Sequence, residues 1–499
     1  MIQRNASIQQ FKDAFAGGYP VIAVETWEED ITLNMLRAFF NSIFNKKGEF
    51  FTFDLQSGLL NSAENNTAPL NPLEALDKIS VLTCPGIFVF KDLAGKITDP
   101  EIQRRIKNIH HNFRGSNRFL VLLSSNFLLP PEIRREVYVI RHALPEAHEI
   151  ESIIDDYLEA LKKRGIANEL SAEDKNQAVI SLKGFTGAEI KYALSKICWG
   201  KKVIDAGIIP LLHDEKDQMA RKDGVLEYVR NSDSINEIGG LENLKEWLIK
   251  RKSLFTPEAA KAGIRPPRGL LMMGISGCGK SLSVKAISAL WGLPLFRLDM
   301  NKVYSGSFGT PEGTFDRAIK NIEAVAPAIL WIDEIEGGIS SNTAKDGGTG
   351  SHIFSAFLTW MQEKSSDIFV AATANRIDLL PAEIIRKGRF DQVFFIDLPN
   401  DTEREEIFKV HLKRRNNKLD DFDIPLLSVA TEFWNGAEIE HVVEAATIEA
   451  FSRGEKLMQD DLYTIIRRTV PLSRTMAEQI KFIKNWASER AVSASRSDK

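Results

Sequence analysis

The octapeptide GISGCGKS, Gly274 to Ser281, follows the apolar run GLLMM and precedes the helical pattern SLSVKAISAL. It matches G-x-x-x-x-G-K-[ST] in full. A phosphate chain needs such a segment: glycines let backbone N–H groups turn inward around an anion, and the following helix presents its positive end. Gly274, Ile275, Ser276, Gly277, Cys278 and Gly279 would form the cradle. Lys280 would reach the β- and γ-phosphates and Ser281 would ligate Mg²⁺.

A second set of groups lies further along. AILWIDEIE, Ala328 to Glu336, is an apolar strand that ends in two carboxylates. Downstream of a phosphate loop, Asp333 suits contact with Mg²⁺ and Glu334 suits the base that polarises a water. IFVAATAN ends another buried strand on Asn375, placed to orient that water or to sense the γ-phosphate. IIRKGRFD then offers Arg386 and Arg389, which suit fingers that neutralise transition-state charge in a neighbour's site. A surface salt bridge is the plainer use of two such arginines.

These groups must be held by a folded core, and the composition allows one. The chain has 499 residues, 43% hydrophobic and 26% charged, enough for several globular domains. Lys+Arg number 64 and Asp+Glu 68, which argues against a protein built to coat nucleic acid. Cys84, Cys198 and Cys278 are scattered and odd in number, as in a reduced, cytoplasmic protein. No apolar run suggests a membrane span or a secretion signal. The histidines show no metal-ligand spacing.

In order and spacing, INEIGGLENLKEWL, GISGCGKS, LWIDEIE, ATAN, IIRKGRFD and WNGAEIEHVVEAA resemble the AAA ATPases over about residues 231–470. More narrowly, YPVIAVETWEED, RKDGVLEY and FIKNWASERA resemble the hypothetical-chloroplast-reading-frame ATPases of cyanobacteria, plastids and some other bacteria. The resemblance implies that Ile238 and Gly239 pack on adenine, with Gly436 and Ala437 closing over it from a helical lid. It implies ATP and Mg²⁺ as ligands, a homo-oligomeric ring such as a hexamer, and a protein client. Two departures stand out. Cys278 replaces the usual Thr, and VYSGSFGTPEG offers Tyr304 and Phe308 out of register with the family's pore-loop aromatic.

The first half repeats the second with its chemistry removed. Pro130 and Glu132 match Pro381 and Glu383 at one constant offset, and FTGAEIKYALSKI matches WNGAEIEHVVEAA. Five strand-like runs recur in order: PVIAVE, FFTFDL, GIFVFK, FLVLLS and EVYVI answer GLLMM, PLFRLD, AILWID, IFVAAT and VFFID. After PVIAV there is no phosphate loop. Glu25, Glu28, Glu29 and Asp30 stand there instead, and carboxylates at a helix N-terminus would take the anion's place. Lys91 and Asp92 align with Asp333 and Glu334, Asn126 with Asn375, and Arg135 with Arg386. Arg389 has no counterpart.

The expected fold is α/β: a P-loop NTPase parallel sheet with a helical lid, preceded by a degenerate AAA-like α/β domain with its own lid-like helices. The expected segments are 1–145 for the degenerate domain, 146–230 for its lid-like helices and a charged helical linker, 231–400 for the nucleotide-binding core, 401–470 for the lid, and 471–499 for a C-terminal helix and disordered tail. The loop Gly337 to Ser351 is expected to be mobile. The basic run Gln103 to Arg118 reads as a solvated helix face, with nucleic-acid contact as the weaker alternative. The expected function is Mg²⁺-dependent ATP hydrolysis coupled to remodelling of a protein partner. The alternatives are an ATP-gated scaffold with negligible turnover, or a nucleic-acid remodeller. Localisation is expected to be cytoplasmic, or the plastid stroma if plastid-encoded.

Overall fold

The computed structural model describes residues 2–44, 48–61, 71–125, 127, 129–141, 144–230, 238–255, 259, 262–305, 307, 309–336, 349–364, 367–386 and 388–496. Asn126, Phe308 and residues 337–348 of the Gly/Ser-rich loop, each singled out above, lie outside the described residues. The chain divides into two compact units. One comprises Met1–Asn168 and Gly184–Val203, the other Glu169–Lys183 and Ile204–Lys499.

The first unit holds a six-stranded sheet. Its strands are β1 (Val21–Glu25), β2 (Glu49–Asp54), β3 (Gly58–Asn61), β4 (Gly86–Phe90), β5 (Arg118–Ser124) and β6 (Tyr138–Arg141), in the spatial order β3-β2-β4-β5-β1-β6. All neighbours are parallel except β2 and β3. Parallel strands need crossover helices on both faces, so their residues are buried whichever way they point. Phe53, Phe88, Phe90, Leu120 and Leu122 pack with Ile79, Ile106 and Ile109 on one face. Ile22, Val24, Ile87, Val89 and Val121 pack with Phe11, Phe15 and Phe40 on the other. Two-residue strands β7 (Ala167–Asn168) and β8 (Val203–Ile204) follow.

The second unit holds a seven-stranded sheet of β9 (Leu226–Val229), β10 (Gly269–Gly274), β11 (Leu295–Leu298), β12 (Ala328–Ile332), β13 (Ile368–Ala374), β14 (Gln392–Ile396) and β15 (Val492–Ser493). Their order is β15-β14-β10-β13-β12-β11-β9. Only the β11–β9 pair is antiparallel. β10, β12 and β13 are buried at every residue. Four helices, Asp401–Arg414, Ile424–Ala430, Gly436–Ser452 and Gln459–Arg468, form a separate apolar cluster around Phe408, Leu412, Val442 and Leu462.

The structure corrects several expectations. Within residues 146–230, helices Ala147–Lys162 and Gly187–Cys198 pack with the first unit, Ala172–Leu182 and Ile209–Asp223 with the second. β9, just before residue 231, pairs with β11. The stretch read as a charged linker is fastened down. In it Lys216 and Asp217 are buried, and Lys216 Nζ donates to the carbonyl of Lys183. The tail expected to be disordered is ordered through Arg496. β15 pairs with β14, Ala494 is fully buried, and Asn243 Nδ2 donates to the carbonyls of Ser493 (3.1 Å) and Ser495 (2.9 Å). A polar tail needs no core of its own when a sheet edge offers it backbone partners.

The basic run forms the helix Pro100–Phe113, with Ile102, Ile106, Ile109 and Phe113 buried. Its flanking Arg118 donates to the carbonyls of Leu82 and Asn112 (2.6 Å), and Arg105 forms a two-pronged pair with Asp77 at 2.9 and 3.0 Å. Those guanidiniums serve the fold. Tyr304 is partly buried against the second unit's core, so it is not offered as a projecting aromatic.

Candidate active site

The segment after β10 turns through left-handed backbone at Gly277 (φ 79°) and Gly279 (φ 89°), and Lys280 opens the helix Lys280–Trp291. Side chains avoid such angles, which is why the spacing of glycines is diagnostic. Lys280 is 7% exposed. Its Nζ donates to the loop's own carbonyls, Gly274 at 2.9 Å and Ile275 at 2.7 Å. Burial pulls the ammonium down to about 8, opposed by Glu336, Asp333 and Glu334 nearby. Cys278 is half-buried, and desolvation pushes its thiol up to about 12. Such a thiol stays protonated and unreactive, so Cys278 acts as a small filler.

The carboxylates follow β12. Thr373, on β13, ties both to the sheet: its hydroxyl donates to Asp333 Oδ1 at 2.6 Å and accepts from the Glu334 amide at 3.0 Å. Glu334 sits at φ 47°, a left-handed conformation that a non-glycine residue adopts only under local constraint. Asn375 Nδ2 donates to Glu334 Oε1 at 2.7 Å. Glu336, 5% exposed, accepts from the amides of Asn375 (2.7 Å) and Arg376 (3.0 Å) and so fixes the chain after β13.

The helical lid meets this loop. Asn435 caps the helix Gly436–Ser452 in a reciprocal box with Glu438. Its Nδ2 also donates to the Ser276 carbonyl at 3.2 Å, and the Ala437 amide donates to the Gly277 carbonyl at 3.0 Å. A Cβ on Gly277 would stand 2.8 Å from the Asn435 amide, so glycine is needed for the approach as well as for the turn. On the opposite wall, Gly240 and Leu241 donate their amides to Glu406 (2.7 Å) and Glu403 (3.2 Å). Ser495 Oγ reaches Glu403 as well, at 2.5 Å, so the ordered tail braces this wall.

The result is one cavity of about 350 Å³. It is lined by Ile238, Gly239, Ser276 to Ser281, Asp333, Glu334, Asn375, Gly436 and Ala437. Gly274 and Ile275 contribute carbonyls to Lys280 rather than lining. Arg386, exposed, and Arg389, bonded to the Glu383 carbonyl, do not line it. Sequence reasoning missed Thr373, Asp397, Glu403, Ile407, His411, Arg414 and Glu440, which also line it. His411 and Glu440 approach to 3.6 Å, and burial lowers the imidazole's affinity for its proton. Only the Thr in ATAN carried a visible signal. Asp397 follows β14, and the others lie on lid helices with no local pattern that marks them.

The first unit offers a counterpart at some of these points. Thr26, Trp27 and Glu28 connect β1 to the helix Glu29–Phe44, a shorter connection than Ile275 to Gly279. Glu29 and Asp30 stand in the first turn of that helix, where the sequence places carboxylates, but Glu28 does not. Glu28, 7% exposed, accepts instead from the Gly187 amide at 2.5 Å, at the N-terminus of the helix Gly187–Cys198. Glu25 accepts from Arg141 Nε at 2.8 Å, and Glu29 stands 3.7 Å from Lys91. Arg135 is exposed.

Comparison with known proteins agrees with this architecture. Residues 270–398 match the model of the ATPase family associated with various cellular activities (AAA). Residues 7–142 match the N-terminal domain of SpoVK-like AAA ATPases, and 148–223 their second domain. A ycf46 AAA domain-containing protein of Trieres chinensis is 35% identical over 475 residues, covering 94% of each chain. Its counterpart in Pyropia yezoensis is 35% identical over 483 residues, covering 96% of this chain and 97% of that one. A proteasome-activating nucleotidase of Thermococcus onnurineus is 29% identical over 286 residues, 55% of this chain and 70% of that one. With a P-loop cavity closed by a lid and near-full-length likeness of this order, the chain belongs to the AAA ATPase family, together with the ycf46 AAA domain-containing proteins.

Proposed function

We propose that this protein hydrolyses ATP with Mg²⁺ and couples turnover to remodelling of a protein partner, working as a homo-oligomeric ring. The observation that carries the reading is the convergence of Lys280, Ser281, Asp333, Glu334 and Asn375 on one cavity from three separate segments. A scaffold that only bound nucleotide would have no need of Glu334, held in a left-handed turn and bonded to Asn375.

Each residue has a task that its position allows. Lys280 releases its two loop carbonyls and pairs with phosphate oxygens, and amides of the glycine loop share the charge. Ser281 and Asp333 fit Mg²⁺: one hydroxyl and one oriented carboxylate leave room for the waters and phosphate oxygens this ion prefers. Among the described residues no cluster of three or more His, Cys, Asp or Glu forms an all-protein metal cage, which agrees with an ion shared with its substrate. When bound, the ion neutralises charge on the phosphates. Glu334 polarises the attacking water and Asn375 holds both carboxylate and water in line. Ile238, Gly239, Gly436 and Ala437 enclose the base.

Arg386 and Arg389 lie outside their own chain's cavity, so they are assigned to a neighbour's site, which makes the oligomer part of the catalyst. No described helix is long and apolar enough to cross a membrane. The cytoplasm, or the stroma for a plastid-encoded chain, is the proposed location. The test is steady-state phosphate release by wild type, Glu334→Gln and Arg386→Ala. Loss in both variants, with nucleotide binding retained in the first, supports the reading; equal rates in wild type and Glu334→Gln would overturn it.

A further inference from the structure

The open edge of the first sheet has no equivalent in the second. Pro20 accepts from the Leu120 amide and the Thr26 amide donates to Ser124, so even-numbered residues of β1 face β5 and odd-numbered ones face β6. Ala23 is the register partner of Val139. In a parallel ladder Ala23 therefore bonds to Tyr138 and Ile140, and Val139 and Arg141 turn their N–H and C=O groups outward. Among the described residues no backbone partner meets them. In the second sheet the corresponding strand, β14, is closed by the chain itself: β15 runs parallel to it, and the Ala494 amide donates to the Phe395 carbonyl at 2.9 Å.

A groove of about 720 Å³ runs at the open edge. Tyr138 and Val139 point to opposite faces of the sheet, yet both line it, so it follows the strand rather than one face. Phe127 and Leu129 supply apolar wall. Arg134 and Arg141 are exposed, and the single lining carboxylate, Glu25, is already engaged by Arg141 and the Phe127 amide. The groove is thus strand-shaped, partly apolar and net cationic.

We propose that the β6 edge docks an extended, acidic segment of a protein partner as a parallel strand, in the way β15 docks on β14. Outward amides and carbonyls supply affinity, and the exposed Arg134, with Arg141 shared between Glu25 and the incoming strand, selects carboxylates. The occupant is a separate polypeptide. The chain's own C-terminal segment is basic at Arg490 and Arg496 and is held on β14.

The probe is a fluorescein-labelled octapeptide alternating valine with glutamate, titrated against the full chain and read by anisotropy. Three comparisons follow: the same peptide N-methylated at alternate amides, a lysine-for-glutamate peptide, and the Val139→Pro protein. Proline is tolerated where an edge N–H points outward, so the variant should fold, as checked by circular dichroism and by unchanged nucleotide binding. Saturable binding is expected, weakened on the order of tenfold or more by N-methylation and by Val139→Pro, with the lysine peptide weaker still. Equal binding of the native and N-methylated peptides would overturn the proposal without recourse to any variant. So would concentration-dependent self-association of the chain that Val139→Pro abolishes, since the occupant would then be a second copy.

Discussion

With β15 set aside, the two sheets run β6-β1-β5-β4-β2-β3 and β14-β10-β13-β12-β11-β9, each with an antiparallel strand at the far end. All five strand pairings suggested by the repeat fall at matching positions. The likeness extends to backbone detail. Asp92, just beyond β4, has φ 58°, and Glu334, just beyond β12, has φ 47°. An unfavourable conformation kept at matched positions in both sheets argues that the first unit derives from the same plan. What changed is the charge. Lys280 opens one helix and faces the carboxylate region after β12; Glu29 opens the other and meets Lys91 after β4. The loop contacting the lid helix is a glycine carbonyl in one and a buried carboxylate, Glu28, in the other. The fold is kept in the first unit while an internal charge, Glu28, makes the helix contact that a glycine carbonyl makes in the second.

That contrast can be broken by experiment. The largest effect is expected at the acidic strand ends: Glu334→Gln should cut phosphate release by about 10²–10⁴-fold, while Asp92→Asn leaves it unchanged. A matching loss in Asp92→Asn would mean that the first unit still takes part in chemistry. Next, Glu28→Ala leaves the Gly187 amide without its buried acceptor. Local opening of the helix Gly187–Cys198 should become easier by about 1–3 kcal/mol in hydrogen exchange, with ATP affinity unaltered.

The third effect is one of pH. The Lys280 pKa, lowered to about 8 in the nucleotide-free fold, lies below its unfolded value. Its burial therefore costs stability below about pH 8, and that cost shrinks as pH rises toward the unfolded pKa. ATP affinity moves the other way. It should fall by up to about tenfold per pH unit above 8, as the ammonium is lost. Calorimetric titration from pH 7 to 9.5 reads this, and a flat profile would show that phosphate contacts do not depend on Lys280. The smallest effect is at Asp92→Gly, which relieves a left-handed side-chain residue and should stabilise the first unit by about 0.5–1 kcal/mol in urea melts. Glu334→Gly, at the matched position, should instead abolish turnover.

Much of this could be read from the residues in order. The phosphate loop was legible because left-handed turns demand glycine at Gly277 and Gly279, and the buried strands because their apolar runs are continuous. Thr373 and Glu336 were harder: one looked like a strand residue and the other like a third acid. Thr373 at least falls within the ATAN motif, but the hydrogen bonds that both residues make between neighbouring segments are not encoded by any local pattern. The tail was misread because its polarity says nothing about a free sheet edge elsewhere in the chain.

The sequence by itself determined the motifs, the five paired strand-like runs of the two halves, and the absence of a phosphate-loop motif after β1. Each of these depends on residue type at short range. Only the tertiary structure decided where Glu28 points, that Ser495 braces Glu403, and that β6 is open where β14 is closed. Those outcomes depend on which distant backbone groups find partners, and hydrogen bonds between distant segments leave no periodicity to read.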